Sequence, residues 1–344
     1  MKPETTPDRD PTAVSRKKDH IELAFESRVE PGELDGRFYY EPALAAHPAP
    51  GSLPPFPFLG KTLRAPIWVS SMTGGTALAG TINRNLARAC AEFGMGIGLG
   101  SCRQLLYSDE HLADFDVRDL LGPDLPLYAN LGVAQVEQLL DRGRLELVDT
   151  LLQKLRADGL IVHINPLQEA MQPEGDRFRQ PPLETLRSLL QTARFPVIAK
   201  EVGQGFGPES MRQLLELPLM AVEFAAGGGT NFSKLELLRS DPNKQQVFER
   251  LAHVGHSAAA MLGYANDCAN APGPHLKTGH LILSGGVRDF LDGYYLVRKS
   301  RLPAVYGQAS GFLKHARGDY ADLHAFVDAQ LRGLELAYAF LQVK

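Results

Sequence analysis

Cysteine is scarce in this chain: three among 344 residues, Cys90, Cys102 and Cys268, an odd number set far apart. That spacing fits neither a disulfide framework nor a zinc site, so a reducing cytoplasm is the expected compartment. Long apolar runs are missing as well, and nothing approaches the roughly 18 uninterrupted apolar residues that a spanning helix needs. The opening Met1-Lys2-Pro3-Glu4-Thr5 is polar and has no apolar signal core. Neither export nor membrane insertion is expected. Charge of one sign is also lacking, since 36 Lys and Arg against 40 Asp and Glu leave a net charge of -4. Such a balance offers no broad field to nucleic acid or to an anionic membrane. An anionic substrate must be held by a few placed cations.

What is present is a globular composition, 44% hydrophobic and 22% charged, which is enough for a large core. Residues 1–60 read as an irregular arm: charge and proline first, a short helix near Arg16 to Phe25, then a proline-rich stretch from Pro42 to Pro57. Residues 61–344 make the second expected domain. From Pro66 onward short β-branched or apolar runs alternate with longer amphipathic ones, the rhythm of βα units on a parallel sheet. Strands are expected at Ile67–Ser71, Met95–Gly100, Leu127–Asn130, Leu160–Asn165, Val197–Glu201, Ala221–Ala225, Leu281–Ser284 and Ala304–Gly307. Helices are expected over Leu78–Phe93, Val133–Arg156, Leu183–Thr192, Pro208–Leu217, Phe232–Leu262, Val287–Lys299 and Tyr320–Leu341. Eight such units predict an α/β fold, a closed (β/α)8 TIM barrel, for which about 250 residues is usual. The competitor is an open doubly wound sheet, which would carry a GxGxxG turn opening a helix. Gly94-Met95-Gly96-Ile97-Gly98 instead sits before and within an apolar strand.

Chemistry in such barrels gathers at the carboxyl ends of the strands. The fourth is the richest: Val162-His163-Ile164-Asn165-Pro166-Leu167-Gln168-Glu169. Alternation puts His163 and Asn165 on one face, and Pro166 breaks the ladder so that Gln168 and Glu169 fall in the loop beyond. His163 is the titratable candidate there. The first strand ends in Ser71-Met72-Thr73-Gly74-Gly75, where glycine either lets backbone amides approach a flat ligand or simply makes a tight turn. The second ends in Gly100-Ser101-Cys102-Arg103 and the third in Ala129-Asn130-Leu131-Gly132, where Asn130 is a turn former or a ligand. In the fifth, Lys200 would point into the barrel mouth, and a buried ammonium needs an anionic partner. That partner is Glu169, Glu201 or an electron-rich cofactor.

Gly227-Gly228-Gly229-Thr230, Ser284-Gly285-Gly286 and Gly307-Gln308-Ala309-Ser310-Gly311 follow the last three strands. Glycine-rich turns feeding helix N-termini present free N–H groups to an anion, and the loops after strands seven and eight are a common phosphate site of barrels. Tight turns alone are the other reading. Together with Lys200 and the Thr73 turn, these loops suggest a phosphorylated planar cofactor such as FMN.

At this point a resemblance emerges. Met72-Thr73-Gly74-Gly75, Ala129-Asn130-Leu131-Gly132, His163-x-Asn165-x-x-Gln168-Glu169, Pro173-Glu174-Gly175-Asp176-Arg177, Lys200-Glu201-Val202-Gly203, Gly228-Gly229-Thr230-Asn231-Phe232 and Ser284-Gly285-Gly286 resemble the serial motifs of type 2 isopentenyl diphosphate isomerase. The likeness runs from Arg16 to about Leu313. It implies an FMN-dependent TIM barrel that interconverts isopentenyl and dimethylallyl diphosphate, requires Mg2+, and needs its flavin reduced, usually by NADPH. Carried over residue by residue, it implies that Met72, Thr73, Ser101, Asn130, Lys200, Thr230, Gly285, Gly286, Ala309 and Ser310 hold FMN. Glu169 is assigned to the metal, and Gln168 to the substrate near the flavin. His163 and Asn165 line the same pocket. Arg16, Lys17 and His20, in Arg16-Lys17-Lys18-Asp19-His20, resemble the segment that clamps the diphosphate, together with Arg103; a solvated charge run is the plainer reading. A homo-oligomer, tetramer or octamer, is expected, and the arm is a candidate to complete a neighbouring subunit's site. Tyr306 and Gln308 are bulkier than the small residues expected at the last phosphate turn.

Moving a double bond by one position takes a proton added at one carbon and another removed nearby, with carbocation character between, so a water-free pocket and a reversible acid/base are required. The resemblance implies that the reduced flavin exchanges the protons, with Gln168 orienting or relaying. Two other readings remain open. A hydroxy-acid-oxidase-type FMN oxidoreductase would want a catalytic His and carboxylate-binding arginines beyond strands six to eight, where Ala225-Ala226-Gly227 stands instead. A barrel without catalysis, serving assembly or flavin storage, would have no need of the His163 to Glu169 strip.

Overall fold

The computed structural model describes residues 12–71, 73–271 and 276–344. The chain divides into two compact units, one running to Tyr39 and including Lys344, the other Tyr40–Val343. In the smaller unit the helix Ala13–Leu23 carries Arg16, Lys17 and His20, all exposed to solvent. Its turns end in a short 3-10 helix, Pro31–Glu33, capped reciprocally by Glu30 and Glu33.

The larger unit is a closed barrel of eight parallel strands. These are β1 (Ile67–Val69), β2 (Gly96–Gly98), β3 (Leu127–Gly132), β4 (Gly159–His163), β5 (Val197–Lys200), β6 (Ala221–Glu223), β7 (His280–Ser284) and β8 (Ala304–Gln308). They follow each other around the barrel in sequence order, and β8 closes on β1 through Tyr306 opposite Ile67. All eight lie where the apolar runs place them, because strands buried on both faces read as continuous apolar stretches. Helices separate them; among the described residues none is long and apolar enough to cross a membrane.

Three helical expectations are corrected. The stretch Val133–Arg156 is two helices, Val133–Asp141 and Glu146–Leu155, because Gly143 turns the chain at φ +60°. The stretch Phe232–Leu262 is broken into Phe232–Arg239, Pro242–Phe248, a 3-10 segment Glu249–His253 and Ala258–Asn270. Pro242 lacks the N–H needed to continue a helix, and Asp241 caps the next one by accepting from the Lys244 amide. Finally, Gln168 and Glu169 are not in a loop: Pro166 opens a short helix, Pro166–Met171. Proline's fixed φ suits a first helical position, so the residue that ends the strand also starts the helix.

The amino-terminal half of the barrel is filled by aromatic rings. Trp68, Tyr128 and Phe58 are each at most 2% exposed. Trp68 meets Phe58 edge-on at 6.3 Å and Tyr128 at 6.0 Å. Phe58 comes from a hairpin, Phe56–Phe58 with Lys61–Leu63, that precedes β1. Gly96 admits the indole: a Cβ there would lie 2.6 Å from the Trp68 ring. We expect Trp68→Ala to cost about 3–5 kcal/mol of stability, read by denaturant unfolding; a loss below about 1 kcal/mol would show that this end is not held by the indole.

Candidate active site

Above these rings, at the carboxyl rim of the barrel, lies a cavity of about 350 Å³. That size falls within the range of small-molecule sites. Of the residues expected to hold a cofactor, Lys200, Thr230, Gly285, Gly286, Ala309 and Ser310 line it. Thr73, Ser101 and Asn130 stand on the same rim outside that lining, while Ser70 and Ser71 take the place expected of the Thr73 turn. Met72 lies outside the described residues.

The roof of the cavity is made by two glycine turns pressed together. Gly285 has φ +88°, and a Cβ on it would stand 2.1 Å from the backbone N and O of Ala226. Gly228 has φ +106° and meets Gly286 at 3.2 Å on the same basis. Only glycine tolerates both the left-handed backbone and the contact. Tyr306 does not crowd this region, because alternation along β8 turns its ring outward against Gly293 of the helix Phe290–Lys299. Gln308 is buried and tied down, donating to the Val287 carbonyl at 3.2 Å and accepting from Gln330 at 3.0 Å.

Beneath the glycines the floor is charged. Lys200, 5% exposed, donates to the Glu201 backbone carbonyl at 2.8 Å. The salt bridges to Glu169 or Glu201 left open by the sequence do not form. Glu201 instead accepts from the amides of Gly203, Gln204 and Gly205 at 2.7, 2.6 and 2.7 Å. The carboxylate that faces Lys200 is Glu223, its register partner on β6 and fully buried. Ser284 donates to its Oε1 at 3.3 Å, while its Oε2 has no partner. Burial raises the Glu223 pKa, opposed by the Lys200 ammonium and the Ser70 and Ser284 hydroxyls. Sequence reasoning missed Glu223. The available signal was a lone carboxylate inside the apolar run Ala221-Val222-Glu223-Phe224.

The fourth strand supplies a connected strip. Asn130 donates from Nδ2 to the Leu99 carbonyl at 3.0 Å, which orients its amide, so its Oδ1, 2.8 Å from His163 Nδ1, must accept. The proton therefore sits on His163 Nδ1 and Nε2 carries the free lone pair. Burial, then the neighbouring Lys200 charge, depresses the His163 pKa to about 3. Asn165 Nδ2 donates to Gln168 Oε1 at 3.0 Å and to Glu169 Oε1 at 2.9 Å. Its own Oδ1 is buried without a partner. Gln168 Nε2 lies 3.5 Å from Glu236, a buried carboxylate ion-paired to Arg239 at 2.6 Å and also missed from sequence. The other Glu169 oxygen accepts from the Asp176 amide at 2.7 Å. Asp176 in turn pairs with Arg103 at 3.0 Å and accepts from Gln135 and Gln138 at 2.8 and 3.1 Å. One segment, the loop around Asp176, thus joins Arg103 to Glu169.

Among the described residues no three His, Cys, Asp or Glu side chains cluster to hold a metal. Burial pushes the Cys102 thiol up to about 12, so it offers no thiolate. Arg16, Lys17 and His20 belong to the smaller unit.

A closed parallel barrel with a polar, cationic cavity at its carboxyl rim defines an enzyme of the (β/α)8 class. No family model matches the chain. Among curated proteins it is similar to isopentenyl-diphosphate delta-isomerases: 34% identical over 315 residues to that of Rickettsia felis, covering 88% of this chain and 85% of the relative. It is 33% identical over 325 residues to that of Rickettsia rickettsii, covering 92% and 90%. Against the enzyme of Chlorobium chlorochromatii it is 39% identical over 242 residues, 68% of this chain and 66% of the relative. The chain belongs to the isopentenyl-diphosphate delta-isomerase family. In fold it is similar to the flavin-binding domain of baker's yeast flavocytochrome b2, with a TM-score of 0.53, 12% identity, and coverage of 88% of this chain and 71% of that one. A mandelate oxidase variant bound to (S)-mandelic acid gives 0.55 and 12%, covering 90% and 87%. At that identity the likeness carries the fold alone.

The His163 environment sets a sign. A histidine whose folded pKa lies below its unfolded value binds fewer protons when folded, so stability rises with pH between the two values. We expect stability to be lost as pH falls from about 6.5 toward 3, less so in His163→Asn. Ring nitrogen shifts should show His163 neutral at pH 5; a titration midpoint near 6.5 would contradict this environment.

Proposed function

We propose that the protein interconverts isopentenyl and dimethylallyl diphosphate, with FMN in the glycine-roofed cavity and Mg2+ at Glu169. The observation that carries this reading is the row His163, Lys200 and Glu223. These are register neighbours across β4, β5 and β6, so the charged cavity and the His163 to Glu169 strip form one site.

The residues present fit FMN. The paired glycine turns expose backbone to a phosphate, Lys200 supplies a cation, and the Ser71 hydroxyl and Glu223 Oε2 are buried polar atoms without partners, as expected of groups that a polar ligand satisfies. Lys200, Thr230, Gly285, Gly286, Ala309 and Ser310 would hold it, with Thr73, Ser101 and Asn130 at its rim. Once reduced, with NADPH as the expected donor, the flavin would supply the acid and base chemistry of the reaction.

A lone carboxylate suits Mg2+, which keeps several waters and is usually bound by one or two carboxylates plus substrate phosphates. Glu169 is held for that role by Asn165 and the Asp176 amide. Each of its oxygens keeps a second lone pair. Arg103 is assigned to the diphosphate.

The remaining groups of this chain orient rather than titrate. With its pKa near 3, His163 is too weak a base for general catalysis at neutral pH, and its Nε2 serves as a neutral acceptor. Gln168 is oriented at both ends, its Oε1 accepting from Asn165 and its Nε2 lying against Glu236. Both arrangements keep charge away from a developing carbocation.

Reconstitution with FMN, anaerobic reduction and addition of isopentenyl diphosphate with Mg2+ should yield dimethylallyl diphosphate. Oxidation of a 2-hydroxy acid, or bound flavin with no turnover, would replace this reading. Glu169→Gln should retain FMN and lower kcat/KM by at least about 100-fold, with the loss following metal and substrate affinity. Release of flavin from that variant would show Glu169 to be structural.

A further inference from the structure

The proposed ligands leave one buried carboxylate without a task. Glu223 is 0% exposed, lines the cavity, and has an oxygen with no partner. An acceptor shut away from water in this state costs free energy unless the occupant of the cavity satisfies it. Among the described residues Lys200 makes no ion pair with it, so the ammonium does not discharge that role.

Its position says which part of an occupant it meets. Glu223 is joined to Ser284 Oγ, and Ser284 immediately precedes the Gly285–Gly286 turn. Glu223 is thus one side chain below the turn assigned to phosphate. Beside it stand the Ser70 and Ser284 hydroxyls and the Lys200 ammonium, while the one aromatic ring of the cavity lining, Phe232, opens the helix Phe232–Arg239 beyond the glycine turn. Hydroxyl-rich surroundings with one unsatisfied acceptor suit a chain of hydroxyl donors better than a ring. The geometry points to Glu223 as a cofactor-binding residue that accepts a hydrogen bond from the polyol linker of FMN, between the phosphate at Gly285–Gly286 and the ring farther toward His163. This rests on FMN being the occupant.

The assignment has a consequence separable from catalysis. The protein reads the hydroxyls of the linker and not only the two ends of the cofactor. Replacing those hydroxyls by hydrogen leaves Oε2 unpaired, and an unpaired buried acceptor of this kind lowers affinity by about 5- to 150-fold.

The test compares the binding of FMN with that of its analogue bearing a phosphorylated pentyl chain in place of phosphoribityl, followed by flavin fluorescence quenching. The wild-type protein should prefer FMN by at least about fivefold. Glu223→Met, similar in size and lacking an oxygen, should weaken FMN binding and bring the preference close to one. Glu223→Gln, which keeps an acceptor, should retain most of it. Equal affinity of the wild-type protein for the two flavins overturns the assignment, and this arm needs no variant to fold. So does a Glu223→Met protein that keeps the full preference. A wild-type protein that binds neither flavin overturns the FMN reading itself, an outcome distinct from the other two.

Discussion

The contact on which the rest of the site depends is between the backbones of two turns. Where the chain leaves β6 and β7, the backbone at Ala226 and Gly285 comes closer than any Cβ would permit. Because these turns meet, the carboxyl rim is roofed on one side, and the groups below it are cut off from bulk water. Burial of Lys200 and Glu223, and the polar character of the space between them, follow from that closure. A single methyl group at Gly285 would separate the turns and admit solvent to both charges.

Under that roof the electrostatics run laterally. His163, Lys200 and Glu223 occupy equivalent levels of three consecutive strands. The central ammonium acts on both neighbours, suppressing protonation of the imidazole and favouring ionisation of the carboxylate. Each side chain therefore owes its state first to its own burial and then to the charge on the next strand. This explains why a histidine that looks like a general base by residue type is instead a neutral acceptor. The carboxamides of Asn130 and Asn165 complete the arrangement by holding their neighbours in one orientation without adding charge.

Much of the fold was legible because the strands of a closed parallel barrel are buried on both faces and announce themselves as short apolar runs. The helices were less so. Amphipathic periodicity continues across Gly143 and across Pro242, and only the backbone demands of those two residues divide what the pattern joins. Pro166 was read as a stop and is also a start. In the candidate site, residues at strand ends such as Asn130, His163 and Lys200 could be placed from alternation, since chain direction alone brings them to the rim. Glu223 and Glu236 escaped because their importance lies in what surrounds them. One carboxylate inside an apolar strand and another on an ordinary helix carry no local mark of burial. The pairing of Asp176 with Arg103 joins segments 73 residues apart, and no local pattern reports it.

The aromatic stopper formed by Trp68, Tyr128 and Phe58 makes the barrel a blind well. These buried rings stand across the barrel axis, so a molecule that enters at the carboxyl rim leaves by the same mouth. Two molecules that share such a well cannot arrive in arbitrary order: the one seated deeper goes in first and comes out last. Residence of the deep tenant is then governed by the shallow one, and a long-lived lower guest serving many brief visitors above it is the traffic pattern this architecture imposes.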